Sequence, residues 1–365
     1  MCKFLFIIPL VLLFGAPVLP APRLSFFSEL KGTDFKTLID DSSLVSQLMR
    51  MKASLRVGLI DLTAERAEAI QKLNRAGVPV YAWLLLPESE GYWFFMNNGD
   101  KATARYQAFK KWTAENNLHW EGIGIDLEMD FNDAKLGVKH PLALAWKAYM
   151  RLFDRSSIKR GKAIYQQLVL EMQSDGYKVE SYLIPLIYEE RLKKTSSLQK
   201  LIGMIDIETP VEIPMAYTSV MGKGMISAYP CHGNPIGLGV TGGGVNIEGR
   251  QPKFLKWEDL SRDLLVSNQQ TSEVIIFCLE ATVTNGWMNK IEHFDYSQPV
   301  PDISRDVEAQ IKMRKTFQTV MVILDHPWLF TLEVLVILFL FFYLVYKSAR
   351  GIIWISKRII SKRKV

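Results

Sequence analysis

Cysteine is scarce in this chain: three in 365 residues, at Cys2, Cys231 and Cys278. No CxxC or HxxxH pair occurs, and the five histidines (His119, His140, His232, His293 and His326) are scattered. Spacing therefore offers no metal site, and no cofactor is expected. Cys231 and His232 are chain neighbours, a poor arrangement for a nucleophile and its base. Cys231 and Cys278 are free to pair in an oxidising compartment, but nothing in their spacing demands it. A G-x-S-x-G elbow and a P-loop are both missing, which removes two common hydrolase and nucleotide-binding signatures. There is no Asn-x-Ser/Thr sequon, which fits a bacterial source.

Acids are missing from the C-terminal tail. Lys347, Arg350, Lys357, Arg358, Lys362, Arg363 and Lys364 follow one another with no acid among them. Taking these seven charges from a net +6 leaves the rest of the chain at −1. The basic balance thus belongs to the tail, and a nucleic-acid surface is not expected.

Long apolar runs are confined to the two ends. "MCKFLFIIPLVLLFGAPVLPAP" has a lysine, an apolar stretch, then small residues and prolines, the order of a secretory signal over 1–21. Ala16 or Ala21 stands near a cleavage site; an uncleaved anchor is the other reading. "WLFTLEVLVILFLFFYLVY", Trp328 to Tyr346, matches the roughly 20 apolar residues a spanning helix needs. Glu333 is its only charge. The basic tail at 347–365 puts the cytoplasm on that side and the body of the chain outside the cytoplasm, held at the cell membrane by a single pass. "GIIWISKRIISKRKV" also suits a short amphipathic helix on the inner leaflet. The polar, proline-marked and then helical segment from Asp295 to Val320 reads as a final helix and stalk within 295–327. That leaves 22–294 for the folded domain.

Within that domain short apolar strands alternate with helical periods. The strands are "RLSFF", "SLRVGLIDL", "VPVYAWLLLP", "EGIGIDLEMD", "YKVESYLIP", "VEIPMAYTS", "NPIGLGVTGGG" and "SEVIIFCLEA". Continuous apolar strands imply burial on both faces, as in parallel sheets. Eight strand–helix alternations in a domain of this length predict a (β/α)8 barrel. An open doubly wound sheet is the runner-up, but "FFSELKGTDF" is not the glycine-rich turn it would carry after its first strand. Between strands two and three, "TAERAEAIQKLNRAG" predicts a helix with Thr63 as N-cap and Gly77 as its stop. "TGGGVNIEG" reads as a loop at a strand end.

Strand four, "EGIGIDLEMD", runs an apolar pattern straight into Asp126, Glu128 and Asp130. Its C-terminal end is the face where barrels build active sites. Alternation points Asp126 and Glu128 the same way, about 6–7 Å apart along the strand. Two such carboxylates repel, so one should hold its proton to a higher pH, as a general acid requires. Acids at strand ends also cap helices and hold loops, so catalysis and capping stand side by side here.

"EGIGIDLEMD" resembles the DGxDxDxE signature of the family 18 glycoside hydrolases, chitinase-like barrels in which that motif also ends strand four. Glu121 stands at the first Asp, Gly122 matches the Gly, Gly124 replaces the second Asp, Asp126 matches the third, and Glu128 matches the catalytic Glu. The resemblance implies that Glu128 protonates the glycosidic oxygen. Asp126 would orient the substrate's own 2-acetamido group, whose carbonyl attacks the anomeric carbon, so no enzyme nucleophile is needed. "PMAYTS" resembles the Met-x-Tyr these enzymes carry at the end of strand six, on Met215 and Tyr217, and implies that Tyr217 hydrogen-bonds the acetamido carbonyl. The departures are Thr218 in place of an acid, "YAWLLLPESEG" in place of Ser-x-Gly-Gly on strand three, and Glu280 near the end of strand eight where a Trp is usual. Gly124 lacks the carboxylate that relays charge to the middle Asp, implying lower activity or a shifted pH range.

A glycan partner would need aromatic faces. "ESEGYWFF" follows strand three on the catalytic side and offers Trp93, while Trp83 suits the floor of a central subsite; a loop clamp or a membrane-proximal patch is the plainer alternative for the first. Three readings of function follow. The first is a membrane-anchored hydrolase of a glycan bearing N-acetylhexosamine, using Asp126, Glu128 and Tyr217. The second is a two-carboxylate glycosidase with Glu128 and Glu280, where a salt bridge at the rim is the structural alternative for Glu280. The third is a barrel with a degraded site that binds glycan or an envelope partner, for which Gly124 is the argument.

Overall fold

The computed structural model describes residues 20–229, 234–245, 247–249 and 252–362, with side chains as far as 352. The signal read at 1–21 lies outside these residues except for its last two positions, as do Cys231 and His232.

Eight strands form where the apolar runs stand: β1 (Arg23–Ser28), β2 (Ser54–Leu59), β3 (Val80–Leu84), β4 (Gly122–Leu127), β5 (Val179–Leu183), β6 (Val211–Pro214), β7 (Ile236–Leu238) and β8 (Glu273–Phe277). They hydrogen-bond in the order β6-β5-β4-β3-β2-β1-β8-β7, and every pairing is parallel. Among the described residues a single bridge, between Met215 and Gly237, joins β6 to β7 and nearly closes the ring. With helices between successive strands, this is the expected (β/α)8 barrel.

Alternation sorts each strand's residues between two cores. Leu24, Phe26, Leu55, Val57, Val80, Ala82, Ile123, Ile125, Val274 and Ile276 point outward and share one apolar cluster with the surrounding helices. Phe27, Trp83, Tyr182, Ile213, Met215, Ile275 and Phe277 point inward and fill the lumen. Both sets are buried, which is why these strands read as unbroken apolar runs; each full burial of such a side chain contributes about 1.5–3 kcal/mol.

Local signals set the helix ends. The helix Ala64–Ala76 begins where Thr63 Oγ1 accepts from the Arg66 amide at 3.3 Å and ends on Gly77. Arg66 is fully buried, and its guanidinium donates to Asp61, just beyond β2, at 2.9 Å. "DFKTLIDDSSLVSQLMRM", a single helix by period, is two. Asp41 leaves helical geometry, and its carboxylate accepts from the Ser43 amide at 2.8 Å to start Ser42–Arg50. The segment after β4 is likewise broken into Phe131–Lys139, Pro141–Arg151 and Arg155–Ser174.

The helix Ser304–Leu324 lies along the barrel. Its Arg314 donates to Glu189 at 2.5 Å, and Met321 is buried with Leu183, Ile187, Leu198 and Met204. The helix Pro327–Lys362 follows, and its stretch Pro327–Ile352 is long and apolar enough to cross a membrane. Those 26 residues are about 39 Å long against a hydrocarbon core of about 30 Å.

Candidate active site at the barrel mouth

The C-terminal ends of the strands gather the chemistry. Asp126 is the fifth residue of β4 and points into the lumen, 1 % exposed. Burial raises its carboxyl well above the usual carboxylate range, and the negative charges of Glu128 and Glu29 push it further. The Trp83 indole N–H is the one neighbour pulling it down, and it approaches without closing a full hydrogen bond: Asp126 Oδ1 and Trp83 Nε1 each lack a partner among the described residues.

Glu128 follows β4 directly and is half-buried. Its amide donates to the Phe94 carbonyl at 3.2 Å, and the Phe94 amide donates to the Asp126 carbonyl at 2.9 Å. The aromatic segment after β3 thus runs beside the acid segment of β4. Within it Tyr92 and Phe94 are buried, while Trp93 stays partly exposed at the rim, edge-on to Tyr92 and Phe131 with ring centroids 5.3 and 5.7 Å away. Asp130 has the capping role instead: its carboxylate accepts from the Asn132 amide at 2.9 Å and opens the helix Phe131–Lys139.

Tyr217 lies just past β6, against Phe277 with ring centroids 5.8 Å apart. Burial raises its phenol well above the usual value, and Asp126, Glu128 and Glu29 add to the rise. These three acids therefore act on one hydroxyl. Met215, two residues earlier, lines the lumen beside it and forms the bridge that closes the ring. Trp83 is buried beneath, edge-on to Phe27 at 5.2 Å and to Tyr182 at 5.9 Å.

Glu280 opens the short helix after β8. Its Oε1 accepts from the Glu29 amide at 3.1 Å, while Oε2 is buried with no partner among the described residues. Burial raises its carboxyl, and the hydrogen bonds it accepts only partly offset this. Cys278 beside it is a buried free thiol donating to the Gly242 carbonyl at 3.0 Å, and burial raises its pKa. Cys231 lies outside the described residues.

Sequence reasoning missed Glu29. It follows β1, and its carboxyl is pushed up to about 8: burial and the charges of Glu280 and Glu128 outweigh the lowering effect of the Tyr92 hydroxyl, which donates to Oε1 at 2.5 Å. The signal was present in "RLSFFSE", an apolar strand ending at an acid like β4 and β8. Glu29, Asp126, Glu128 and Glu280 therefore ring the mouth. Among the described residues no salt bridge reaches Glu29, Asp126 or Glu280. The glycine run after β7 lies over this ring: a Cβ at Gly243 would sit 2.7 Å from Cys278 Sγ and 3.5 Å from Glu280 Oε1, so only glycine lets the backbone come so close.

Gly124 now has a structural reason. A Cβ there would meet Tyr182 Oη at 2.0 Å. That hydroxyl donates to Glu180 Oε1 at 2.7 Å, so a tyrosine from β5 fills the space below Asp126.

No family model and no curated protein matches the sequence. Solved structures do match in shape. A GH18 chitinase from Pseudoalteromonas aurantia is 10 % identical with a TM-score of 0.40, the match covering 74 % of this chain and 98 % of that one. Gas2p of Saccharomyces cerevisiae, solved with laminaritriose and laminaritetraose, is 12 % identical with a TM-score of 0.38, over 70 % of this chain and 56 % of that one. A D-psicose 3-epimerase solved in the presence of D-fructose is 13 % identical with a TM-score of 0.35, over 83 % and 99 %. Likeness at this level brings no activity with it.

Proposed function

We propose that the barrel mouth is the active site of a glycoside hydrolase acting on a glycan that bears N-acetylhexosamine, held outside the cytoplasm by the helix at 327–352. The observation that carries this reading is the Asp126–Glu128–Tyr217 set: a buried aspartate whose pKa is raised by burial and by its acidic neighbours, a half-buried glutamate beside it, and a tyrosine hydroxyl under the influence of both. Glu128 gives a proton to the glycosidic oxygen as the bond to the leaving sugar breaks. The carbonyl oxygen of the substrate's 2-acetamido group bonds to the anomeric carbon, and the Tyr217 hydroxyl donates to that carbonyl to position it. Asp126 accepts from the acetamido N–H and steadies the positive charge that develops. Water then opens the cyclic intermediate, returning its proton to Glu128.

This mechanism needs a place to keep a proton near Asp126. Gly124 supplies no carboxyl, and Glu29, reaching in from β1 with a pKa of about 8, takes that part. Glu280 is the less suitable nucleophile, since a nucleophilic carboxylate must be ionised and burial holds this one toward its protonated form. Trp93 at the rim offers a face for a sugar ring.

The test compares the full-length chain with Glu128→Gln on aryl glycosides with and without a 2-acetamido group. Turnover restricted to the acetamido substrates, falling about 10²–10⁴-fold in the variant, is the expected result. Turnover on plain glycosides would replace this mechanism with one using Glu128 and Glu280. Glycan binding with no turnover by either protein would mark a binding barrel.

A further inference from the structure

The helix Pro141–Arg151 buries none of its residues, although it sits between two barrel strands in the sequence. Its large apolar side chains fall on one stripe. Leu142 is 86 % exposed, Trp146 65 % and Met150 50 %, at i, i+4 and i+8, with Tyr149 between them at i+7. The stripe is not a misplaced core face, because ion pairs hold the helix in this orientation. Lys147 and Arg151, one residue further round, both pair with the buried carboxylate of Asp133, at 2.6 and 2.5 Å. Arg151 also donates to the Leu201 carbonyl at 2.8 Å.

The stripe runs on into the apolar C-terminal helix. Tyr149 Oη and Thr331 Oγ1 are 2.8 Å apart, and the rings of Phe153 and Trp328 meet edge-on with centroids 4.8 Å apart. Trp146 lies beside Tyr149 with centroids 5.7 Å apart. Trp328 and Thr331 belong to the first turns of Pro327–Lys362, the end away from the basic tail. A segment that enters a bilayer there would bring the Leu142–Trp146–Met150 stripe to the headgroup level, where tryptophan and a one-sided apolar helix are both stabilised.

We propose that the helix Pro141–Arg151 lies in the outer membrane–water interface, with Leu142, Trp146 and Met150 dipping into the lipid. This rests on the reading of 327–352 as a spanning segment. The occupant is the bilayer because the stripe is continuous with the residues that enter it, whereas a protein partner would have to share that position with lipid. There is a consequence for the site. The anchoring carboxylate, Asp133, is on the helix that Asp130 opens two residues after Glu128, so the β4 side of the barrel mouth is tethered towards the lipid. The glycan reached from such a mouth is one lying against, or attached to, the membrane surface.

The experiment uses the full-length chain in nanodiscs whose lipids carry bromine at shallow or deep acyl positions. Trp146 is one of nine tryptophans, so its emission is taken as the difference between the parent protein and Trp146→Phe. The expected result is a difference emission that loses most of its intensity to shallow bromines, less to deep ones, and is insensitive to aqueous iodide. Leu142→Trp adds a second reporter on the same stripe and should behave alike. Quenching of both by iodide and by neither lipid, in a chain that has entered the nanodisc, overturns the proposal and leaves the spanning segment standing. A chain that never enters the nanodisc overturns both. Neither outcome bears on glycoside hydrolysis, which is read from turnover.

Discussion

The two ends of the barrel lumen bury ionisable side chains under opposite rules. At the N-terminal end Arg56 and Glu180 are 1 % and 4 % exposed and meet through two bonds, Nε to Oε1 at 3.0 Å and Nη2 to Oε2 at 3.1 Å. Arg56 Nη1 adds Ser25 Oγ at 2.5 Å and Glu273 at 3.0 Å, and Tyr182 donates to Glu180. Burial alone would weaken the charge on Arg56, but the carboxylates outweigh it and the pKa rises. At the C-terminal end three buried or half-buried carboxyls, Glu29, Asp126 and Glu280, meet no cation among the described residues, and all three are raised. Paired charges close a barrel, whereas carboxyls buried without a cation hold their protons to a higher pH than free ones do. A protein that paired the charges of its floor and left the carboxyls of its mouth without cations has separated two kinds of buried network.

Removing one partner of the floor network breaks the comparison hardest. Arg56→Met leaves Glu180 buried without its cation and is expected to cost about 3–5 kcal/mol in denaturant unfolding. Adding Glu180→Leu to the same chain should recover part of that loss, which would show that the cost lies in the stranded charge. Next comes the boundary between the two ends. Gly124→Ala forces a methyl onto the Tyr182 hydroxyl and should lose about 1–3 kcal/mol, with the thermal midpoint falling accordingly.

The mouth should answer to pH instead. Glu29 has its folded pKa raised from 4.5 to about 8, so the folded chain holds a proton that the unfolded chain has released. Its contribution to stability is complete below pH 4.5 and lost as pH rises through about 8. Glu29→Gln should remove that downward slope, leaving unfolding midpoints at pH 5 and pH 9 closer together than in the parent. An unchanged slope would sink the idea that Glu29 stores a proton. The smallest stability effect belongs to Glu128→Gln, within about 0.5 kcal/mol, because the half-buried side chain is replaced by one of its own shape. Activity lost with stability intact would sharpen the division between floor and mouth.

Much of the barrel could be read ahead of its coordinates. All eight strands stand on the apolar runs that announced them, since a strand buried on both faces leaves no alternation to misread. Helix breaks were harder: Asp41 stops one helix and starts another through a single hydrogen bond that a period count does not see. At the mouth, Asp126 and Glu128 were legible because two acids interrupt an apolar strand, and Asp130 was separated from them only by its contact with Asn132. Glu29 escaped because a single acid after a strand is ordinary. It matters only once β1 lies beside β8 and brings it to Glu280.

Composition and period alone determined that this chain holds eight buried parallel strands and an apolar C-terminal segment, because both follow from how many consecutive residues must leave water. Which acids crowd together at the mouth, why Gly124 admits no side chain, and where the Leu142–Trp146–Met150 stripe points were decided only when strands distant in sequence closed into a ring. Burial and charge coupling depend on distances through space, and those exist only in the folded barrel.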